Sequence, residues 1–124
     1  MRVIQFSVQG NHMHLLVEAR DKQALSQAIK GLSVRFAKRM NRLMGRLGRV
    51  IGDRYHARLV RTPTEIKRVM TYIRDNHRAH LAQIGERLPA GWVDPYSSES
   101  PRVARELPAP QTWLVRVGWE RGVP

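Results

Sequence analysis

Two stretches of period-two alternation, separated by Gly10-Asn11, constrain this chain more than any other feature. Over residues 2–9, Val3, Ile4, Phe6 and Val8 interleave with Gln5, Ser7 and Gln9, which is the pattern of a β-strand. Gly10-Asn11 is a turn signal whose chemistry fits a hairpin. Residues 12–18, His-Met-His-Leu-Leu-Val-Glu, read as the returning strand. Because successive strand side chains point to opposite faces, Met13, Leu15 and Val17 share one face. His12, His14, Leu16 and Glu18 share the other.

Helical periodicity follows. Asp21 predicts an N-cap for a helix over about 22–45. Leu25, Ile29, Leu32, Phe36, Met40 and Leu43 recur at three- and four-residue steps, which predicts a buried stripe. Lys30, Arg35, Lys38, Arg39, Arg42 and Arg46 lie mostly off that stripe. Gly45, Gly48 and Gly52 break the helix into a basic loop. Residues 54–61, Arg-Tyr-His-Ala-Arg-Leu-Val-Arg, alternate as a third strand would.

Thr62-Pro63-Thr64-Glu65 is a helix-start signal, with Thr62 as N-cap, Pro63 at the first helical position and Glu65 as the capping-box acid. The predicted helix runs to about Gln83 and Gly85 stops it. Ile66, Met70, Ile73, His77 and Leu81 trace its apolar stripe, and Tyr72 and Asn76 sit together on the flank of that stripe, partly exposed. From Leu88 the character changes. The chain has seven prolines, all but Pro63 at or beyond 89. The sequence therefore divides into a body, 1–87, and an irregular tail, 88–124, that packs a few of its aromatics (Trp92, Tyr96, Trp113, Trp119) on the body. Thr112 to Trp119 reads as one short helix or strand.

Charge narrows the partner. Among 124 residues there are 22 Lys+Arg against 10 Asp+Glu, a formal charge of +12. Such an excess favours a polyanion, either nucleic acid or an anionic membrane surface. No run of about 18 apolar residues exists, so no membrane span is expected. The opening residues are too short and too polar for a secretory signal. Cysteine is absent, which excludes disulfides, thiolate catalysis and cysteine-zinc sites and fits a cytoplasmic protein.

The candidate chemistry has two readings at each position. His12 and His14 offer two imidazoles suited to a divalent ion, and the carbonyl oxygen of Asn76 would harden the site toward Mg²⁺ or Mn²⁺; alone, His-x-His is also the pattern of an exposed polar pair. Tyr72 is a nucleophile if a base or a metal assists it, or a half-buried helix tyrosine with a wet hydroxyl. One turn apart, Tyr72 and Asn76 would fix the mutual geometry of a nucleophile and a ligand. The basic residues of the first helix, with Arg46 and Arg49 in the loop and Arg54, Arg58 and Arg61 beyond it, form a surface able to track phosphates. His56 reads equally as a phosphate contact or a cross-strand partner.

These residues resemble a known family. Phe6 to Glu18, with its His-Met-His, resembles the metal-binding strand of the HUH single-tyrosine transposases. Gly52 to Arg58 resembles the strand before their catalytic helix. Tyr72-Ile73-Arg74-Asp75-Asn76 resembles the Tyr-Ile-x-x-Asn segment of the REP-associated tyrosine transposases within the IS200-like group. Trp92 to Ser98 and Gln111 to Trp119 are similar to the tail of bacterial members. The resemblance covers nearly the whole chain in order. It implies an α+β, ferredoxin-like antiparallel sheet with packed helices. It implies His12, His14 and Asn76 as ligands of a divalent metal, Mg²⁺ or Mn²⁺, and Tyr72 as the catalytic residue. The implied activity is metal-dependent cleavage and rejoining of single-stranded DNA with hairpin-forming ends, through a 5′-phosphotyrosine link. The family places a further strand and helix before the segment that begins here at Arg2. Without them the sheet lacks a member, and homodimerisation is one way to complete it. The alternative is a non-catalytic DNA- or RNA-binding remnant.

Overall fold

A computed structural model describes residues 1–9, 12–48, 55–83, 85, 89–93 and 96–123, with the backbone alone at 9, 77 and 79–83. It contains two antiparallel strands, β1 (Arg2–Gln9) and β2 (His12–Glu18). The helices are α1 (Lys22–Met44), α2 (Pro63–Gln83), α3 (Pro101–Ala104) and α4 (Trp113–Arg116), and a 3₁₀ turn spans Gly118–Arg121. The architecture is α+β. The Gly10-Asn11 turn and Gly52 lie outside the described residues. The chain forms two compact units: Met1 with Ala19–Leu59, and Arg2–Glu18 with Val60–Pro124.

The first unit is built on α1. Asp21 Oδ1 accepts from Ala24 N at 2.7 Å, the predicted cap. Gly45 closes the helix at φ 63°, a left-handed conformation that costs glycine little. The predicted buried stripe is corrected: no residue of α1 is buried. Leu25, Ile29, Leu32, Phe36 and Met40 are half-buried, and Leu43 is 78% exposed. Helical periodicity says which side a helix would bury; it does not supply something to bury it against. The predicted third strand is also corrected. Residues 55–61 are irregular, and of that segment only Val60 is not fully exposed. Alternation without a paired neighbour forms no ladder, because strand hydrogen bonds come from another chain segment.

The second unit holds the core. Its hairpin register opposes Ser7 to His14 and Gln5 to Leu16, with an irregularity between Val3 and Gln5. That bulge places one extra residue, Ile4, which packs against the core of Leu16, Ile66, Ile73 and Val115. Directly opposed residues share a face, so Gln5, Ser7, His14 and Leu16 lie together. Of these, Gln5, Ser7 and Leu16 are buried, as is Glu18 next on the same face. The apolar face of Phe6, Val8, Leu15 and Val17 is only half-buried. α2 explains the inversion. Its contacts include β1, β2, α4 and the 3₁₀ turn, and Gln5 Nε2 donates to Met70 O at 2.9 Å across the packed face.

α2 begins as its sequence dictates. Glu65 N donates to Thr62 Oγ1, and the Thr62 hydroxyl reaches back to the Glu65 carboxylate, both at 3.2 Å. The predicted tail is less irregular than its prolines suggest. Thr112–Trp119 resolves into α4 and the start of the 3₁₀ turn. Trp119 joins the core margin, while Tyr96 and Trp113 stay exposed. Residues 96–98 also run along β1: Val8 N donates to Tyr96 O and Ser98 N to Phe6 O, both at 3.0 Å, around a Ser7–Ser97 bridge. Gly122 lets the C-terminus meet the start of α2, since a Cβ there would lie 2.3 Å from Pro63 O.

Glu18 fastens this arrangement. Its carboxylate accepts from Gln111 N at 3.0 Å, Thr112 N at 2.7 Å and the Thr112 hydroxyl. It also pairs with Arg2 Nε at 3.0 Å. Burial by itself would raise this carboxyl's pKa; the hydrogen bonds from Thr112, Gln111 and Arg2 outweigh it and bring the pKa down to about 2.

Candidate active site

The histidine face of β2 and the first exposed turn of α2 meet at one point. His12 and His14 project to the same side, with ring centroids 5.0 Å apart and planes at 78°. The Tyr72 ring stands edge-on to His14 at 5.3 Å and 86°. Tyr72 is 57% exposed, so an extended polymer can reach its hydroxyl. His12 is exposed and His14 half-buried. The pKa of His14 is lowered, first by burial and then by the neighbouring His12. A neutral imidazole at physiological pH is the form that donates a lone pair to a metal.

Asn76 differs from its sequence-based placement. It is 7% exposed rather than partly exposed, and its Nδ2 has no hydrogen-bond partner among the described residues. The other half of the stripe explains this. Ile73 is 3% exposed on the same helix, and the face that buries it carries Asn76 inward, three residues on. A buried carboxamide donor without a partner costs stability.

Among the described residues no group of three His, Cys, Asp or Glu is placed to hold a metal; the set expected from the sequence is two imidazoles and a carboxamide oxygen. This mixed nitrogen–oxygen set fits Mn²⁺ or Mg²⁺ better than a thiolate-seeking ion.

The candidate phosphate-tracking residues fall elsewhere. Lys30, Arg35, Lys38, Arg39 and Arg42 lie on α1 and Arg46 just after it, all exposed. A shallow pocket at the end of that helix is lined by Lys38, Asn41, Arg42, Gly45, Arg46 and Leu47. Arg58 and Arg61 are exposed in the irregular segment. Arg49 and Arg54 lie outside the described residues, as do the side chains of His77, His80 and Leu81. Arg78, near the end of α2, donates to Pro89 O at 2.8 Å and so ties the helix to the tail. Sequence reasoning missed Ser7 and Ser97, each 1% exposed beside the histidine row. Ser97 was unreadable locally because its neighbour in space is more than eighty residues away.

The strand that carries the paired histidines thus meets the helix that carries Tyr72 in an α+β arrangement. The family described as IS200-like transposase matches residues 1–76, a span that begins before β1 and ends on Asn76. The chain belongs to the IS200-like transposase family, and with that membership comes a role in DNA transposition and a DNA partner. No curated protein and no solved structure matches the chain. No helix among the described residues is long and apolar enough to cross a membrane.

Proposed function

We propose that this transposase cuts and rejoins single-stranded DNA with Tyr72 as nucleophile and with His12, His14 and Asn76 holding a divalent metal, Mg²⁺ or Mn²⁺. The observation that carries the reading is the edge-on contact of Tyr72 with His14 at 5.3 Å, which sets an accessible phenol beside the histidine pair. The metal, when bound, would polarise a non-bridging phosphate oxygen and stabilise charge gathering on it.

The protein's own groups do the rest. Tyr72 Oη attacks the phosphorus; the bond from phosphorus to the 3′ oxygen breaks as the bond to Oη forms. The phenol proton is lost and the 3′ oxygen gains one. The product is a 5′-phosphotyrosine ester and a free 3′-hydroxyl. Attack by a 3′-hydroxyl on the same phosphorus reverses the bonding and frees Tyr72. The ester stores the energy of the broken bond, so rejoining needs no nucleotide cofactor. α2 contributes rigidity, since one helix carries both Tyr72 and Asn76. The exposed cations of α1 supply sequence-independent affinity for the strand, and hairpin-forming repeat ends are the proposed substrate.

Incubation with a 5′- and 3′-labelled single-stranded hairpin oligonucleotide and Mn²⁺ tests this. A covalent protein–DNA adduct retaining the downstream label, absent in Tyr72→Phe, is expected. Strand binding without any adduct in the presence of Mg²⁺ or Mn²⁺ would instead identify a non-catalytic binding protein.

A further inference from the structure

The C-terminal turns divide their two tryptophans between two uses. Trp119 is half-buried at the core margin, whereas Trp113 is 53% exposed. α4 explains the split. Val115 is buried in the core, while Trp113 and Arg116, at the two ends of the same turn, are exposed. Residues three apart on a helix share a side, so the indole and a guanidinium lie together. Arg121, exposed in the 3₁₀ turn, brings a second guanidinium. Its Cζ stands over the Trp113 ring, 5.8 Å from the centroid, within reach of a cation–π attraction.

The ring has a fixed support. A Cβ at Gly118 would stand 2.7 Å from Trp113 Cζ3 and 3.0 Å from each of its ring neighbours, Cε3 and Cη2. A point in the ring plane, beyond the edge, would be much farther from the two flanking carbons than from the middle one. Near-equal distances therefore set Gly118 against the flat of the indole, and the absent Cβ is what lets the ring lie there. Gly118 is itself buried. The backbone leading into the ring is held as well, since Thr112 donates to the Glu18 carboxylate through its N–H and its hydroxyl. An aromatic side chain seated in this way, and more than half open to solvent, has little freedom left to lose when a flat ligand settles on it.

We propose that Trp113 is a stacking platform for one base of a single-stranded DNA, with Arg116 and Arg121 taking the adjoining phosphates. Charge selects this occupant. A chain at +12 with two guanidinium groups beside an exposed indole attracts a polyanion. An unpaired nucleic-acid strand supplies both phosphate charge and an open π-face for the ring. A base that displaces Arg121 from the ring still gains, because a cation–π contact at an exposed site is worth less than a base–aromatic stack, and the freed guanidinium can turn to a phosphate. The platform also lies along the histidine strand. Glu18, which holds Thr112, is four residues beyond His14 on β2, about 13 Å along it. The platform needs neither a metal nor Tyr72, and it extends strand binding from α1 to the tail.

The test measures binding of the full chain, without metal, to an unstructured mixed-sequence oligonucleotide and to an abasic deoxyribose-phosphate strand of equal length. Circular dichroism and melting establish that Trp113→Ala and Trp113→Phe are folded. Trp113→Ala should bind the oligonucleotide about tenfold more weakly and the abasic strand as the wild type does. Trp113→Phe, which keeps a ring, should recover most of the loss. The slope of log affinity against log salt should be unchanged in Trp113→Ala and flatter by about 1.4 in the double variant Arg116→Gln, Arg121→Gln. A loss shared equally by the two strands, or absent from both, would overturn the platform. So would phosphatidylglycerol vesicles that lose more affinity in Trp113→Ala than the oligonucleotide does, since that result assigns the ring to a membrane surface. An unchanged slope in the double variant would overturn the phosphate role of the two arginines. Because no metal is present and no adduct is read, each outcome holds whether or not Tyr72 and the histidines cut DNA.

Discussion

α1 and α2 are close in length, 23 and 21 residues, and each carries an apolar stripe with a cap written into its sequence. They end differently. α2 buries Ile66, Ile73 and Asn76 against a hairpin and a C-terminal turn, whereas α1 buries nothing. The difference shows that amphipathicity is permission to pack, and that the partner decides. It also sorts the chemistry. In the proposed function the nucleophile needs geometry held to fractions of an ångström and would sit on the packed helix. Charge that tracks phosphates needs only exposure and sits on the other.

The comparison breaks most sharply at Tyr72. Tyr72→Phe should abolish the covalent adduct on denaturing gels while leaving filter-binding affinity for single-stranded DNA within about twofold, because phosphate contacts supply most of that affinity. The reciprocal change, Lys38, Arg39, Arg42 and Arg46 all to Gln, removes charge from the first unit alone. Counterion release then predicts a slope of log affinity against log salt flatter by about 3, with the adduct still forming at saturating protein. An unchanged slope would remove α1 from the DNA-binding surface.

Stability should divide the helices as well. Ile73→Ala empties a position that is 3% exposed and should cost about 3 to 4 kcal/mol in urea unfolding. Leu43→Ala, at 78% exposed, should change it by no more than about 0.5 kcal/mol. Equal losses would mean that α1 is packed in solution.

What could be read in the sequence was what neighbours along the chain decide. Asp21, Gly45, Thr62 and Glu65 fix their helix ends through bonds spanning three or four residues, so both helices were placed to within a residue or so. The hairpin followed from alternation. Long-range partners were not readable. Residues 54–61 alternate like a strand, but the described part, 55–61, is irregular. Residues 96–98 lack alternation yet lie along β1 because Val8 N donates to Tyr96 O and Phe6 O accepts from Ser98 N. At the site, His12, His14 and Tyr72 were visible as residue types at suggestive spacings. That Asn76 is buried, and that Ser7 and Ser97 lie in one row with His14, depends on long-range packing.

Glu18 links the hairpin to the tail that packs on α2, and its titration gives the smallest of these effects. The folded carboxyl sits at about 2 against an ordinary value of 4.5. A depressed acid stabilises the fold fully above its unfolded pKa, and the contribution is lost as pH falls from about 4.5 toward 2. That shift corresponds to roughly 3 kcal/mol at neutral pH, of which Glu18→Gln should forfeit about 2, since the amide oxygen can still accept from Thr112 while the pairing with Arg2 is gone. The wild-type minus variant difference in urea stability should therefore be constant from pH 8 to 5 and close between pH 4.5 and 2. Because the clamp holds α4, and α4 and the 3₁₀ turn pack on α2, Trp119 fluorescence should report the loss while amide exchange in α1 stays unchanged. A difference that persisted at pH 2, or that appeared equally in α1, would mean that Glu18 acts through something other than its charge or on more than the unit it fastens.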